Sequence, residues 1–203
     1  MFALLTSSTS IHYNMYHLSR HMYDCICVHV HILVIYEYQI TDNGDFSRSG
    51  TLMCSDDGSK YEGDWVKGKY HGRGGFYWAD GSKYFGEWYD GKMHGMGHYQ
   101  YYDGACYKGE FNNDVMHGKG EYEFASGNVY RGDFYRGKMH GTGTFFKYDT
   151  QEWYSGEFQA GKKHGYGVER DVAGQILFEG MFSNGNREEV PGGPSYNPEM
   201  GRK

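Results

Sequence analysis

Five histidines are the first residues of this sequence that could do chemistry. His71, His94, His117, His140 and His164 each precede a glycine and recur every 23 or 24 residues. Imidazoles serve as general bases, proton shuttles and metal ligands. An acidic series keeps step with them: Asp64, Glu87, Glu110, Asp133 and Glu157. Two carboxylates about 5–9.5 Å apart across a substrate are the apparatus of glycoside hydrolysis. A basic series, Lys69, Lys92, Lys138 and the pair Lys162-Lys163, could meet anionic lipid or neutralise the acids. Nearer the N-terminus, Cys25, Cys27, His29 and His31 alternate, and these are the side-chain types that hold zinc.

What positions these groups is a repeat. Tyr61-x-Gly63-x-Trp65, then Gly68, His71-Gly72, Gly74 and Gly81 return as Tyr84, Gly86, Trp88, Gly91, His94-Gly95, Gly97 and Gly104. Further copies open at Tyr107, Tyr130 and Tyr154, and a shortened one at Phe178; these are repeats one to six. Self-similarity at this period marks a stacked architecture. Within a unit, Tyr84, Gly86 and Trp88 fall on one face of a strand, and Phe85 and Glu87 on the other. Gly91 stands where a tight turn needs positive φ, and in repeat three Asp114 takes that place after Asn112-Asn113. Asn and Asp tolerate the left-handed conformation best among non-glycine residues. A second strand follows, with Gly97, Tyr99 and Tyr101 on one face. Asp80-Gly81 and Asp103-Gly104 mark the turn into the next unit, where repeats four and five are expected to carry their extra residue.

Each unit therefore reads as a β-hairpin. A lone hairpin is marginal in water, so the units must stack to bury their rings, each ring lying over bare glycine backbone. The expected fold is all-β: an elongated, twisted single-sheet solenoid of tandem hairpins, about 55–60 Å long for six units at about 4.8 Å per strand. One sheet cannot cover both its faces, so part of the aromatic surface should stay exposed.

That geometry decides most of the candidate chemistry. Consecutive histidines lie about 10 Å apart, too far to share a metal, and are expected to bond nearby backbone. The acids face a flat surface with no cleft and are expected to find cross-strand partners. Cys25 and His31 would lie about 20 Å apart on one strand, which opposes zinc. No nucleophile with a neighbouring base, phosphate-binding loop or dinucleotide fingerprint is present. No catalytic residue, cofactor or metal is expected.

The net charge of −6 gives no basic footprint for nucleic acid. Between Gly58 and Gly185, fifteen Lys/Arg meet seventeen Asp/Glu, so the lysines are read first as neutralising the acids. Four scattered cysteines suit a reducing compartment better than a disulfide framework. Met1–Ser10 lacks the basic start and sustained apolar core of a secretory signal. Residues 1–49 lack the repeat and form an arm. Its apolar run Cys25–Ile35 reads as a strand capping the first repeat; a disordered arm or a misassigned start of the gene are the other readings. The array covers 50–186, opening with a degenerate half repeat at Gly50–Cys54, and a polar Pro/Gly tail covers 187–203.

The pattern Y-x-G-x-W/F-x-x-G-x-x-H-G-x-G resembles the MORN repeat (membrane occupation and recognition nexus) over about Gly58–Asn186. Departures are Asp114 for the turn glycine, the missing Asp-Gly after Tyr148, and Phe178 for the opening tyrosine. The resemblance implies a sheet whose groove receives a partner's helix or another copy. Such modules accompany lipid-kinase or methyltransferase domains, for which this sequence has no room, or stand alone in junctional membranes, radial-spoke heads and cytoskeletal scaffolds. The expectation is a non-catalytic scaffold in a ciliary or flagellar axoneme, or a related cytoskeletal assembly. It would bind protein through Trp65, Trp88, Phe111, Phe134 and Phe158, with Tyr99, Tyr101, Tyr122 and Phe124 beside them, aromatics being usual interface anchors. The competing expectation is that these rings are core. The alternative function is a phosphoinositide-binding membrane adaptor using Lys69, Lys92, Lys138, Lys162 and Lys163.

Overall fold

The computed structural model describes the backbone of Tyr23–Cys27, Ile32–Ile40 and Phe46–Cys54, and all of residues 57–188. Among the described residues every regular element is a strand. The three just given are β1, β2 and β3. Repeats one to three supply β4 (Lys60–Val66), β5 (Lys69–Tyr77), β6 (Lys83–Tyr89), β7 (Lys92–Gln100), β8 (Cys106–Asn112) and β9 (Val115–Glu123). Repeats four to six supply β10 (Val129–Tyr135), β11 (Lys138–Lys147), β12 (Glu152–Gln159), β13 (Lys162–Arg170), β14 (Ile176–Ser183) and β15 (Asn186–Arg187). All fifteen lie in one open sheet in chain order, each antiparallel to its neighbour. The fold is all-β tandem hairpins.

Each of the six repeat hairpins closes on two residues of positive φ, such as Asp90 (51°) and Gly91 (84°). That turn matches the twist of the strands it joins. Asn113 (50°) and Asp114 (68°) keep the geometry without glycine. Asp114 Oδ1 also accepts the Met93 N–H at 2.8 Å, which offsets part of the cost of the left-handed backbone. Successive hairpins are tied at this edge: the second turn residue donates its N–H to the preceding repeat, as in Gly91 to Tyr70 O at 2.9 Å and Gly161 to Met139 O at 2.8 Å.

Glycines form an unbroken row across the sheet. Gly50, Gly63, Gly74, Gly86, Gly97 and Gly109 are successive partners, and the row continues to Gly180. The tyrosine opening each repeat lies on this bare strip. A Cβ on Gly120 would stand 2.5 Å from the Tyr107 ring, and one on Gly143 2.6 Å from Tyr130. One residue past the row the register slips, Gly63 facing Gly74 but Asp64 facing His71. Gly72-Arg73 and their counterparts thus bulge from the ladder, with Gly72, Gly95, Gly118, Gly141 and Gly165 at φ 56–60°. Slippage would strand the carbonyl of Asp64, and the Tyr61 hydroxyl donates to it at 2.9 Å; Tyr84, Tyr107, Tyr130 and Tyr154 repeat this contact at the same distance. A buried carbonyl must find a donor, so the Tyr-x-Gly and His-Gly-x-Gly pieces of the motif are one device.

The extra residues are accommodated in two ways. In repeat four the connection lengthens to four residues between Lys147 and its partner Glu152, with Gln151 at φ 56°. In repeat five the register shifts instead, Arg170 facing Ile176 and Glu169 facing Phe178, so Leu177 bulges inside β14. The loop expected there gives way to a strand irregularity.

The N-terminal apolar run is not one strand. It divides between β1 and β2, which pair Cys25 with Ile35 and Ile26 with Val34, satisfying their backbone groups mutually. The strand against β4 is β3, with Gly50 opposite Gly63 as Gly74 is opposite Gly86. His29 and His31 lie outside the described residues, as does the tail beyond Glu188.

Candidate interaction surface

One face of the sheet carries an aromatic herringbone. Each opening tyrosine meets the Trp or Phe of its own repeat and of the next edge-on. Tyr84 lies 5.1 Å from Trp88 and 5.2 Å from Phe111; Tyr107 lies 5.0 Å from Phe111 and 4.9 Å from Phe134. The interplanar angles of 80–88° suit the ring quadrupoles. Trp65, Trp88, Phe111, Phe134 and Phe158 are only 4–7 % exposed. This corrects their assignment as partner-contacting rings: packed against the opening tyrosines, they are the core. Burial first, then the neighbouring acid, pushes the Tyr154 hydroxyl up to about 12.

Flanking the herringbone, a half-buried strip remains in reach of a partner. Tyr99, Tyr101, Tyr122 and Phe124 belong to it, with centroids of 4.5 Å for Tyr99–Tyr101 and 4.6 Å for Tyr122–Phe124. Burial, ahead of its tyrosine neighbours, raises Tyr101 to about 12. Phe76, Trp78 and Phe145 continue that side, and Tyr70, Met93, Met116 and Met139 form the other. The methionines escaped the sequence reasoning, although Lys-Met-His-Gly in repeats two and four and Val-Met-His-Gly in repeat three place them at a fixed step. Thioethers adapt to irregular apolar partners.

The strip changes character at its C-terminal end. Lys163 and Arg187 stand where the methionines stood, and Glu169 where Phe145, Tyr122 and Tyr99 stood. Lys163 Nζ lies 2.5 Å from Glu169 Oε1, and Arg187 Nη2 2.6 Å from Oε2. Burial alone would raise the Glu169 carboxyl, but the bond to Lys163 and then Arg187 outweigh it and hold the carboxyl below the ordinary range. Lys163 also sits over the Tyr154 ring at 4.8 Å. The triad leaves one net positive charge at the end of an apolar strip.

The opposite face and its turn edge hold the three candidate series apart from Lys163, and re-sort them. The acids cap the bulges: Asp64 accepts the Arg73 N–H at 3.0 Å, Glu110 that of Lys119 at 2.8 Å, Asp133 that of Thr142 at 2.9 Å and Glu157 that of Tyr166 at 3.1 Å. Their carboxylates thus serve backbone rather than only cross-strand side chains, though Asp133 also takes Lys119 Nζ at 2.5 Å. The histidines do not bond backbone through their rings. His71 and His94 lie either side of Tyr89, at 5.2 and 5.9 Å, and His117 and His140 either side of Tyr135. It is the His117 and His140 carbonyls that accept, from Tyr107 and Tyr130. Of the lysines, Lys69 is taken by Asp90 at 2.5 Å and Lys163 by Glu169. Lys92, Lys138 and Lys162 stay exposed at the turns. Among the described residues no three His, Cys, Asp or Glu converge as a metal site.

The repeats are those of a known family. The MORN repeat matches residues 61–83, 84–106, 107–129, 130–149 and 154–175, more than half the chain. This chain belongs to the MORN-repeat family. Modules of this family are generally non-catalytic and commonly bind proteins or membranes. No curated protein sequence matches the chain.

Proposed function

We propose that this chain is a non-catalytic scaffold that docks one amphipathic helix of a protein partner along the aromatic strip, within a ciliary or flagellar axoneme or a related cytoskeletal assembly. The observation that carries the reading is the half-buried strip of rings and methionines along repeats one to four, ending in a positively charged triad. A helix is about 10–12 Å across with its side chains, and its apolar stripe would lie between the two flanking rows. Lys163 and Arg187 favour a partner whose acidic, or C-terminal, end lies over repeats five and six, where the helix dipole is negative. A continuous ladder of hairpins makes a stiff element suited to a cytoskeletal frame.

The test is detergent extraction of cells expressing the tagged full chain, with immunoblots of soluble and cytoskeletal fractions. Retention in the insoluble cytoskeleton at moderate salt is the expected result. Release with detergent would instead support a phosphoinositide-binding membrane adaptor. That alternative is weakened by the pairing of Lys69 and Lys163 with carboxylates.

A further inference from the structure

The turn edge carries a second feature, which shares Lys163 with the triad at the end of the aromatic strip. Along the turns of repeats four to six lies an open cleft of about 620 Å³, lined by Arg136, Lys138, Lys162 and Lys163 with His140 and His164 beside them. No acidic side chain is among the described residues lining it. The turns of repeats one and two also bring three cations together, Lys67, Lys69 and Lys92, but there an acid stands among them and Lys69 is paired with it. Asp90 stands where Arg136 stands, Val115 where Lys138 stands, and Asp114 replaces a glycine. The cleft is of the size that admits small ligands or a few side chains.

We propose that this cleft binds an acidic segment of a protein partner, its carboxylates set against Arg136, Lys138 and Lys162. Two observations favour a local anionic chain over a lipid surface. Cations with no acid among them are found in this cleft, whereas a membrane lying along the turn edge would also meet Asp90 and Asp114 among Lys67, Lys69 and Lys92, where little net charge is left to attract it. The cleft also offers the neutral amides of Gln159 and Asn184, suited to the backbone of a polypeptide. The Arg136 guanidinium lies 5.3 Å from the centroid of Tyr135, which is itself exposed. This contact steadies a side chain that could otherwise move freely.

The full chain is titrated into a fluorescein-labelled oligo-glutamate peptide and, separately, its oligo-glutamine counterpart, with anisotropy as readout. Only the glutamate peptide is expected to bind, and binding should weaken about tenfold when salt shortens the screening length. Lys138→Glu with Lys162→Glu should lose at least about tenfold, while Lys67→Glu with Lys92→Glu, the same change in net charge, should stay within about twofold. All four lysines are solvent-facing turn residues, and thermal melts of both variants confirm that the fold persists. Equal losses in the two variants, or equal binding of the two peptides, would overturn the proposal. So would binding to phosphatidylserine-containing vesicles that the glutamate peptide fails to displace, which would assign the cleft to a membrane.

Discussion

Repeats one to four and repeats five and six share a backbone but not a surface. The glycine row, the opening ring and the two-residue turns run on to β14 and β15. On the aromatic face, however, methionine and tyrosine give way to Lys163, Glu169 and Arg187, and at the turn edge a mixed row becomes basic. The difference teaches which positions the fold demands. Where a side chain lies on glycine or fills the herringbone, the type is held; where it flanks the herringbone, either rings or an ion triad will serve. Stability fixes the first set, and the second is free to specify partners.

The comparison breaks most sharply at the glycine row. Gly120→Ala puts a methyl 2.5 Å from the Tyr107 ring, which is clamped between Phe111 and Phe134. A loss of about 3 kcal/mol is expected. Gly180→Ala meets only the tip of Phe178, at 2.9 Å, near the end of the sheet, and should cost about 1 kcal/mol. Urea midpoints of the two variants measure the contrast, and equal losses would mean that the row is not strained in the interior.

Next in size is the hydroxyl. Tyr107→Phe leaves the Glu110 carbonyl without its 2.9 Å donor and should cost about 1–2 kcal/mol in the same urea titration. Phe178→Tyr should gain nothing. In the shortened last hairpin the Met181 carbonyl already accepts the Glu188 N–H at 2.8 Å.

The triad sharpens the comparison with a smaller effect. Restoring the earlier pattern with Lys163→Met, Glu169→Tyr and Arg187→Met should be neutral or stabilising by about 1 kcal/mol, because the desolvation of Glu169 offsets much of what the partly buried ion pairs contribute. The triad should also respond to acid. The folded Glu169 carboxyl titrates below its unfolded value, so its contribution is complete above about pH 4.3. It fades as pH falls through the folded value. Thermal melts from pH 6 to pH 2.5 should show the natural chain losing more stability than the triple variant. Parallel curves would show that the triad contributes none of the acid response.

Least of all should Asp114→Gly matter. Relief of the left-handed backbone and loss of the Asp114–Met93 contact oppose one another, leaving the stability measured by thermal melts within about 0.5 kcal/mol of the natural chain's.

Much of this fold was legible because its rules recur in every unit. The period gave hairpins, and the glycine at each turn, with Asp114 as its test, gave the positive φ. The burial of Trp65 and its successors was harder to read, because alternation puts tyrosine, glycine and tryptophan on one face without saying which ring lies over the glycine. The histidines misled for a related reason. A residue repeated in every unit announces a framework role, but not whether its ring or its carbonyl fills it, and here Tyr107 and Tyr130 use the carbonyl. The triad was invisible because Lys163 sits in a run of two lysines, and only the register shows that the second crosses to the aromatic face. The basic cleft needed three turns to be seen side by side.

The central claim is that the strip, not the opposite face, holds the partner. Its most direct test sets Tyr101→Glu on the strip against Tyr166→Glu, a half-exposed residue of the other face, each expressed as the tagged full chain. Both should melt cooperatively, with Tyr101→Glu leaving the cytoskeletal fraction and Tyr166→Glu remaining in it. Release of both variants, or retention of a folded Tyr101→Glu, would contradict the account, and unfolding of Tyr101→Glu would show that ring to be core.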